Sequence, residues 1–343
     1  MGSIFAGIGW HVLGAAMAAT FYVPLERVKK WSWETTWSVA GLFSWILLPI
    51  GVSLALLPDF HGFYASMGWP LLVRVALFGA LWGVGGITYG LTIRHLGLSL
   101  GIGMAIGLTL IVGTLLPPLV QGQAAMLFAT RSGLISMAGV LVAVTGVAVV
   151  SWAGHLKEVQ RKGHLEEFNV TLGIALAILC GFSSSGMSFG IAAAKPMEQA
   201  ALHLGVNPLY AALPAYVLIM GCGSLVNWGY CFYRLATQPQ FSLRADLAQP
   251  VGVLARNTAI AATGGIMWYL QFFFYAWGAS NIPQRLSYVN WTLHMSMYVL
   301  CGGLVGLVLS EWTGVGKRPL RILWAGIALI IVATNLVGLG MAQ

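Results

Sequence analysis

Charge is what this sequence has least of. Asp and Glu number 9 and Lys and Arg 17 among 343 residues, so charged side chains make up 8% of the chain, against roughly 25% in an average soluble domain. So few charges cannot cover a soluble surface, which excludes a soluble enzyme, a disordered chain and a fibrous protein. Cysteine is sparse too. Cys180, Cys222, Cys231 and Cys301 all lie within apolar runs, with no CxxC or metal-ligand spacing. They read as small packing residues rather than a disulfide framework or a zinc site. The chain lacks GxxxxGK[ST], so it has no ATP site and no ATPase subunit is expected beside it. HExxH and paired intramembrane carboxylates are also missing, which argues against an intramembrane enzyme.

What is present is apolar surface. Hydrophobic residues make up 58% of the chain and the mean hydropathy is +0.83. A spanning helix needs about 20 mostly apolar residues. Ten stretches qualify: 3–24, 35–57, 70–93, 97–119, 132–153, 171–193, 207–233, 257–279, 288–310 and 319–341. The fold expected is an all-α polytopic membrane protein of ten transmembrane helices. The 44 glycines are about twice the average share. Pairs at small-xxx-small spacing, such as Gly79/Gly83, Gly186/Gly190 and Gly302/Gly306, read as helix contacts. Only a few residues separate the third and fourth stretches at Arg94 to Gly97, which predicts a tight antiparallel pair.

The net charge of +8 is a topology signal rather than a nucleic-acid footprint, because the basic residues sit in short loops. Loops 1, 3, 5, 7 and 9 and their flanks hold 13 of the 17, including Arg27, Lys29, Lys30, Arg94, Lys157, Arg161, Lys162 and Arg234. The even loops hold Arg74, Arg131, Lys195 and Arg285. The odd loops are therefore expected in the cytoplasm and both termini outside. The longest loop, near 235–256, is too short for another domain. The basic loop at 154–170 divides the chain into a first five-helix repeat at 1–153 and a second at 171–343. An odd number of spans per half makes the repeats inverted, an arrangement frequent in secondary transporters. Weak internal matches agree, among them Gly85-Gly86-Ile87 with Gly264-Gly265-Ile266.

Ionisable residues deep in a span are functional by default, and here they are few. The interior polar groups are amides, hydroxyls, aromatic rings and two histidines, a set suited to a neutral, hydroxyl-rich ligand. The densest cluster lies in the eighth and ninth stretches. Trp268, Gln271 and Tyr275 share one helical face, as do Asn290 and His294, with Trp291 between them. Trp10, Tyr22, Trp82 and Tyr89 are further candidates for substrate binding. Interfacial belts and plain helix contacts compete as readings of these side chains. A proton carrier needs a group that titrates near neutrality. His294 fits best, His11 second, and Glu34 third, with pairing to a nearby cation as the alternative for Glu34. Glu311 invites the same alternative, while Asp59, Glu166, Glu167 and Asp246 read as plain loop charges. Glu26 stands out as an acid in a basic stretch.

Several strings are too specific to be compositional. They include Lys29 to Thr35 (KKWSWET), Tyr89 to Thr92, Gly107 to Gly113 (GLTLIVG), Ala194 to Met197 and Met267 to Gly278 (MWYLQFFFYAWG). Together they closely resemble the bacterial L-rhamnose–proton symporters of the drug/metabolite transporter superfamily, over essentially the whole chain. The resemblance implies ten spans in two inverted repeats and uptake of L-rhamnose with a proton across the bacterial inner membrane, without a cofactor. The sugar and the ion rest on the resemblance alone. The rival readings are a drug or metabolite exporter, a sodium-coupled sugar carrier and a sugar-sensing receptor. The receptor lacks any soluble signalling domain.

Overall fold

The computed structural model describes residues 4–120, 122, 124–160, 169–238, 242–283, 287, 289–310 and 312–341. Among them there is no strand. Ten helical segments, numbered spans 1 to 10 in chain order, are long and apolar enough to cross a bilayer: Ile4–Leu25, Trp33–Leu56, Trp69–Leu96, Leu100–Pro117, Arg131–Lys157, Val170–His203, Ala215–Thr237, Val251–Ser280, Val289–Val308 and Lys317–Gly340. The chain is a multi-pass membrane protein, as its hydropathy requires. Arg161, Lys162, Glu166, Glu167, Arg285 and Glu311 lie outside the described residues.

Three spans depart from the predicted limits by more than four residues, each for a local reason. Span 6 runs ten residues further, to His203, with breaks at Ser185 and Ala194. The hydroxyls of Ser185 and Ser188 donate to the carbonyls of Phe182 and Ser185 at the first break. Lys195 and Glu198 pair at 2.6 Å just past the second. Span 7 starts at Ala215 rather than 207, because the Pro208-to-Pro214 segment forms turns and proline cannot continue a helical hydrogen-bond ladder. Span 8 starts earlier than predicted, at Val251, directly after Pro250. In span 2 the segment Leu42–Leu47 is π-helical, a device that inserts one extra residue and turns a side chain to a new face. Trp45 lies in this segment and is buried.

The turn expected at Arg94 to Gly97 is present. Gly97 takes φ +80°, reverses the chain between spans 3 and 4, and donates its N–H to Ile93. Span 3 packs on spans 6 and 7, and span 8 packs on spans 1 and 2. Span 4 touches span 6, and span 9 touches span 1. Spans 5 and 10 pack along their length.

Glycines set these close approaches. A Cβ at Gly83 would stand 2.5 Å from the carbonyl oxygen of Gly223, and one at Gly186 would stand 2.6 Å from that of Phe78. Lipid gives helices no hydrophobic reason to associate, so such backbone contact does much of the binding. Gly83→Val should cost about 1–3 kcal/mol through overpacking, read as a lower melting temperature in detergent. Gly229→Val, where a Cβ meets nothing within 4 Å, should leave the melting temperature unchanged.

Candidate functional site

Span 9 carries Asn290, His294, Tyr298 and Gly302 at four-residue intervals, a single stripe along one helical face. Span 1 lies against it. Near the even-loop end, His11 Nε2 donates to Asn290 Oδ1 at 3.0 Å. Gly278 of span 8 makes room for the His11 ring, since a Cβ there would stand 2.8 Å from Nε2. His294 lies one turn further in. Its Cε1 is 3.0 Å from where a Gly14 Cβ would be. Tyr275 stands edge-on to both imidazoles, at 5.2 Å from His11 and 5.3 Å from His294, and the two imidazoles are 5.9 Å apart. Both histidines are 0% exposed. Neither ring nitrogen of His294, nor Nδ1 of His11, has a hydrogen-bond partner among the described residues.

Below His294 the stripe enters a cavity that opens towards the odd-numbered loops. Its lining runs from mid-span to the ends adjoining odd-numbered loops and includes Tyr22, Glu26, Tyr89, Tyr298, Gly302 and Gly306. The hydroxyls of Tyr89 and Tyr298 are 2.9 Å apart. Tyr22 accepts from Trp33 Nε1 at 2.8 Å. Most of the wall is apolar, with polar groups supplied by the three phenols and the Glu26 carboxylate.

The other predicted residues are distributed as follows. Trp291 is buried and donates to the Thr109 carbonyl at 3.0 Å, so its N–H is committed to span 4. Thr292 and Thr114 add a second bond there, at 2.7 Å. Trp268 packs 5.3 Å from Trp82, 6.1 Å from Trp45 and 5.1 Å from Phe272. It borders a smaller cleft with Phe21, Trp37 and Trp45. Gln271 is buried, and its backbone oxygen would stand 2.8 Å from a Gly14 Cβ. Trp10 is half-buried against Phe274 and Trp277. Tyr22 and Tyr89 line the large cavity; Trp10, Trp82, Trp268, Gln271, Tyr275, Asn290, Trp291 and His294 do not.

Glu34 sits apart from this seam. It is buried and pairs with Arg234 Nε at 3.3 Å. Asp246, which reads from sequence as a plain loop charge, is buried instead. Its carboxylate accepts from Ser32 N–H at 3.1 Å and from the hydroxyls of Ser32 and Thr35, each at 2.6 Å. The loop before span 8 is thereby tied to the start of span 2. Lys157 is buried 5.3 Å from the centre of the Trp312 ring, where cation–π attraction helps to hold it.

Sequence reasoning missed Tyr298 and treated Gly302 and Gly306 as a packing pair. The signal for Tyr298 was its place one turn beyond His294. Nothing in the sequence distinguished a glycine lining a cavity from one lining a helix contact.

A sequence profile described as L-rhamnose-proton symport protein matches residues 1–343. The chain belongs to this family. Among curated members of the rhamnose-proton symport family, the L-rhamnose-proton symporter of Mannheimia succiniciproducens is 55% identical over 342 residues, covering 100% of this chain and 99% of that protein. That of Pectobacterium atrosepticum is 56% identical over 339 residues, covering 99% and 98%. That of Klebsiella pneumoniae subsp. pneumoniae is 56% identical over 341 residues, covering 99% of each.

The Asp246 bonds make a stability prediction. Asp246→Ala removes the shared acceptor of three donors, an expected loss of about 1–3 kcal/mol for groups left unsatisfied. The variant should melt at a lower temperature in detergent, and Asp246→Asn should recover part of the loss.

Proposed function

We propose that this protein carries L-rhamnose and a proton together into the bacterial cell, by alternating access in the inner membrane. Family membership supports the sugar and the ion. The observation that carries the mechanism is His294, an imidazole with 0% exposure and no partner for either nitrogen among the described residues, about 6 Å along the helix from the cavity-lining Tyr298.

Burying a charged imidazole without an acceptor is costly. In this arrangement His11 is committed to Asn290 and offers His294 nothing. On this reading His294 is neutral in this arrangement. Separating spans 1 and 9 at the His11–Asn290 bond admits water and sugar, whose oxygens accept from an imidazolium. Proton and sugar thus stabilise each other in the loaded, closed state, and neither is well held alone. This reciprocity is the basis of coupling. The phenols of Tyr22, Tyr89 and Tyr298 then meet the sugar hydroxyls as the cavity opens to the odd loops, which the excess of Lys and Arg assigns to the cytoplasm. The same count leaves both termini outside.

The moving parts on this reading are two inverted repeats, 1–153 and 171–343, joined by 154–170. The contacts support them: span 3 packs on spans 6 and 7 as span 8 packs on spans 1 and 2. Spans 4 and 6 meet as do spans 9 and 1.

The test is uptake of labelled L-rhamnose into proteoliposomes. An inside-alkaline pH gradient should drive accumulation at least tenfold over equilibrium, and a protonophore should abolish it. Accumulation driven by a sodium gradient at equal pH would overturn proton coupling. His294→Ala should lose accumulation yet keep exchange of labelled for unlabelled sugar. Full uphill uptake by that variant removes His294 from the proton path.

A further inference from the structure

Gly302 behaves unlike the glycines at the helix contacts. Where Gly14, Gly83, Gly186, Gly264 or Gly278 lies against another span, an added Cβ would come within 3.0 Å of a neighbouring atom. At Gly302 a Cβ meets nothing within 4 Å, although the residue lines the large cavity and is half-buried. Its neighbour Gly303 faces span 10, where an added Cβ would stand 3.3 Å from the Leu323 side chain. Helix packing therefore does not require a glycine at 302. Glycine is also a poorer helix former than alanine, so its place in mid-helix is not explained by local structure. What it provides is open volume, one turn below the Tyr298 hydroxyl.

The walls around that volume are unequal. Tyr298, Tyr89 and Tyr22 supply hydroxyl groups and Glu26 a carboxylate, whereas Val299, Val305 and Ile102 contribute apolar surface. A 6-deoxyhexose has the same inequality, with hydroxyls around the ring and a methyl group on C5. We infer that Gly302 is a specificity-determining residue, whose missing side chain leaves the space taken by the sugar's C5 substituent. A side chain at 302 occupies that space and turns the site towards a pentose of the same ring configuration, which has only hydrogen there. This inference rests on the proposed sugar transport and adds the residue that sets substrate size.

The experiment uses full-length Gly302→Ala and Gly302→Val in proteoliposomes, with L-rhamnose and L-lyxose, its counterpart lacking C6, as competing probes. Gly221→Val is the control, because a Cβ there also meets nothing within 4 Å and the residue is outside the cavity lining. The expected result is a graded rise in KM for L-rhamnose, reaching at least tenfold in Gly302→Val. The preference for L-rhamnose over L-lyxose should fall in parallel, and Gly221→Val should match the unmodified protein. An unchanged sugar preference in Gly302→Val, or an equal loss for both sugars, overturns the inference. If Gly302→Val does not fold, Gly302→Cys in a Cys222→Ser background replaces it. L-Rhamnose should then slow its modification by a polar maleimide, and no protection overturns the inference. Rhamnose uptake by the unmodified protein is measured alongside. Its failure counts against the transport reading, whereas its success with an indifferent Gly302 series counts against this inference alone.

Discussion

Lipid tails are as apolar as leucine, so helices inside a bilayer are held by backbones that touch and by polar groups that find each other. Gly83 and Gly223 bring spans 3 and 7 into backbone contact, and Asn227 exploits it. Its amide donates to the carbonyls of Gly83 and Gly223 at 3.0 and 2.9 Å and accepts from Trp37 Nε1 at 3.1 Å. One side chain thus links spans 2, 3 and 7. Remove the close approach and the amide has no reach; remove the amide and the Trp37 indole loses its acceptor. The aromatic cluster of Trp37, Trp45, Trp82 and Trp268 is built on this joint.

The seam between spans 1 and 9 is constructed differently. Glycines around it make room for rings as well as backbone: Gly278 of span 8 accepts the His11 ring, and Gly14 accepts the His294 ring beside the Gln271 carbonyl. Among the described residues the bonding is lean, with one hydrogen bond between His11 and Asn290 and unpartnered nitrogens beside it. A fully satisfied network would lock the two spans together. A lean one lets them part at modest cost, which suits the opening that the proposed cycle assigns to this interface. The densely bonded contacts lie elsewhere, at Asn227 and at Asp246.

The sequence displays both systems unevenly. Hydropathy alone marks the ten spans, because length and apolarity are local properties. The four-residue interval between Asn290 and His294 is enough to place them on one helical face, and His11 stands out as another histidine deep in an apolar run. Their joining across 279 residues of chain is a tertiary fact. Asp246 looks like a solvated loop charge because its donors, Ser32 and Thr35, are more than 200 residues away. Glu34 is comparable: sequence suggests a cationic neighbour, and packing selects Arg234 and buries the pair. The aromatic string of span 8 is conspicuous, yet Trp268 borders only the smaller cleft. Of the large cavity's lining, Tyr22 and Tyr89 are flagged by the sequence as polar rings within spans, whereas Gly302 carries no flag, since space is made by what is missing.

Spans 1 and 9 contain no Lys, Arg, Asp or Glu between Ile4 and Leu25 or between Val289 and Val308. That neutrality has an electrical consequence. With both histidines uncharged, the seam adds no charge of its own to the step that returns the empty carrier, and membrane voltage has little purchase on it there. On the proposed reading, a proton aboard gives the seam one positive charge. An interior-negative potential then favours inward movement by up to about 2.3 kcal/mol per 100 mV. On that reading the voltage acts on one direction of the cycle, and a neutral sugar is accumulated by an electric field that exerts no net force on the sugar itself.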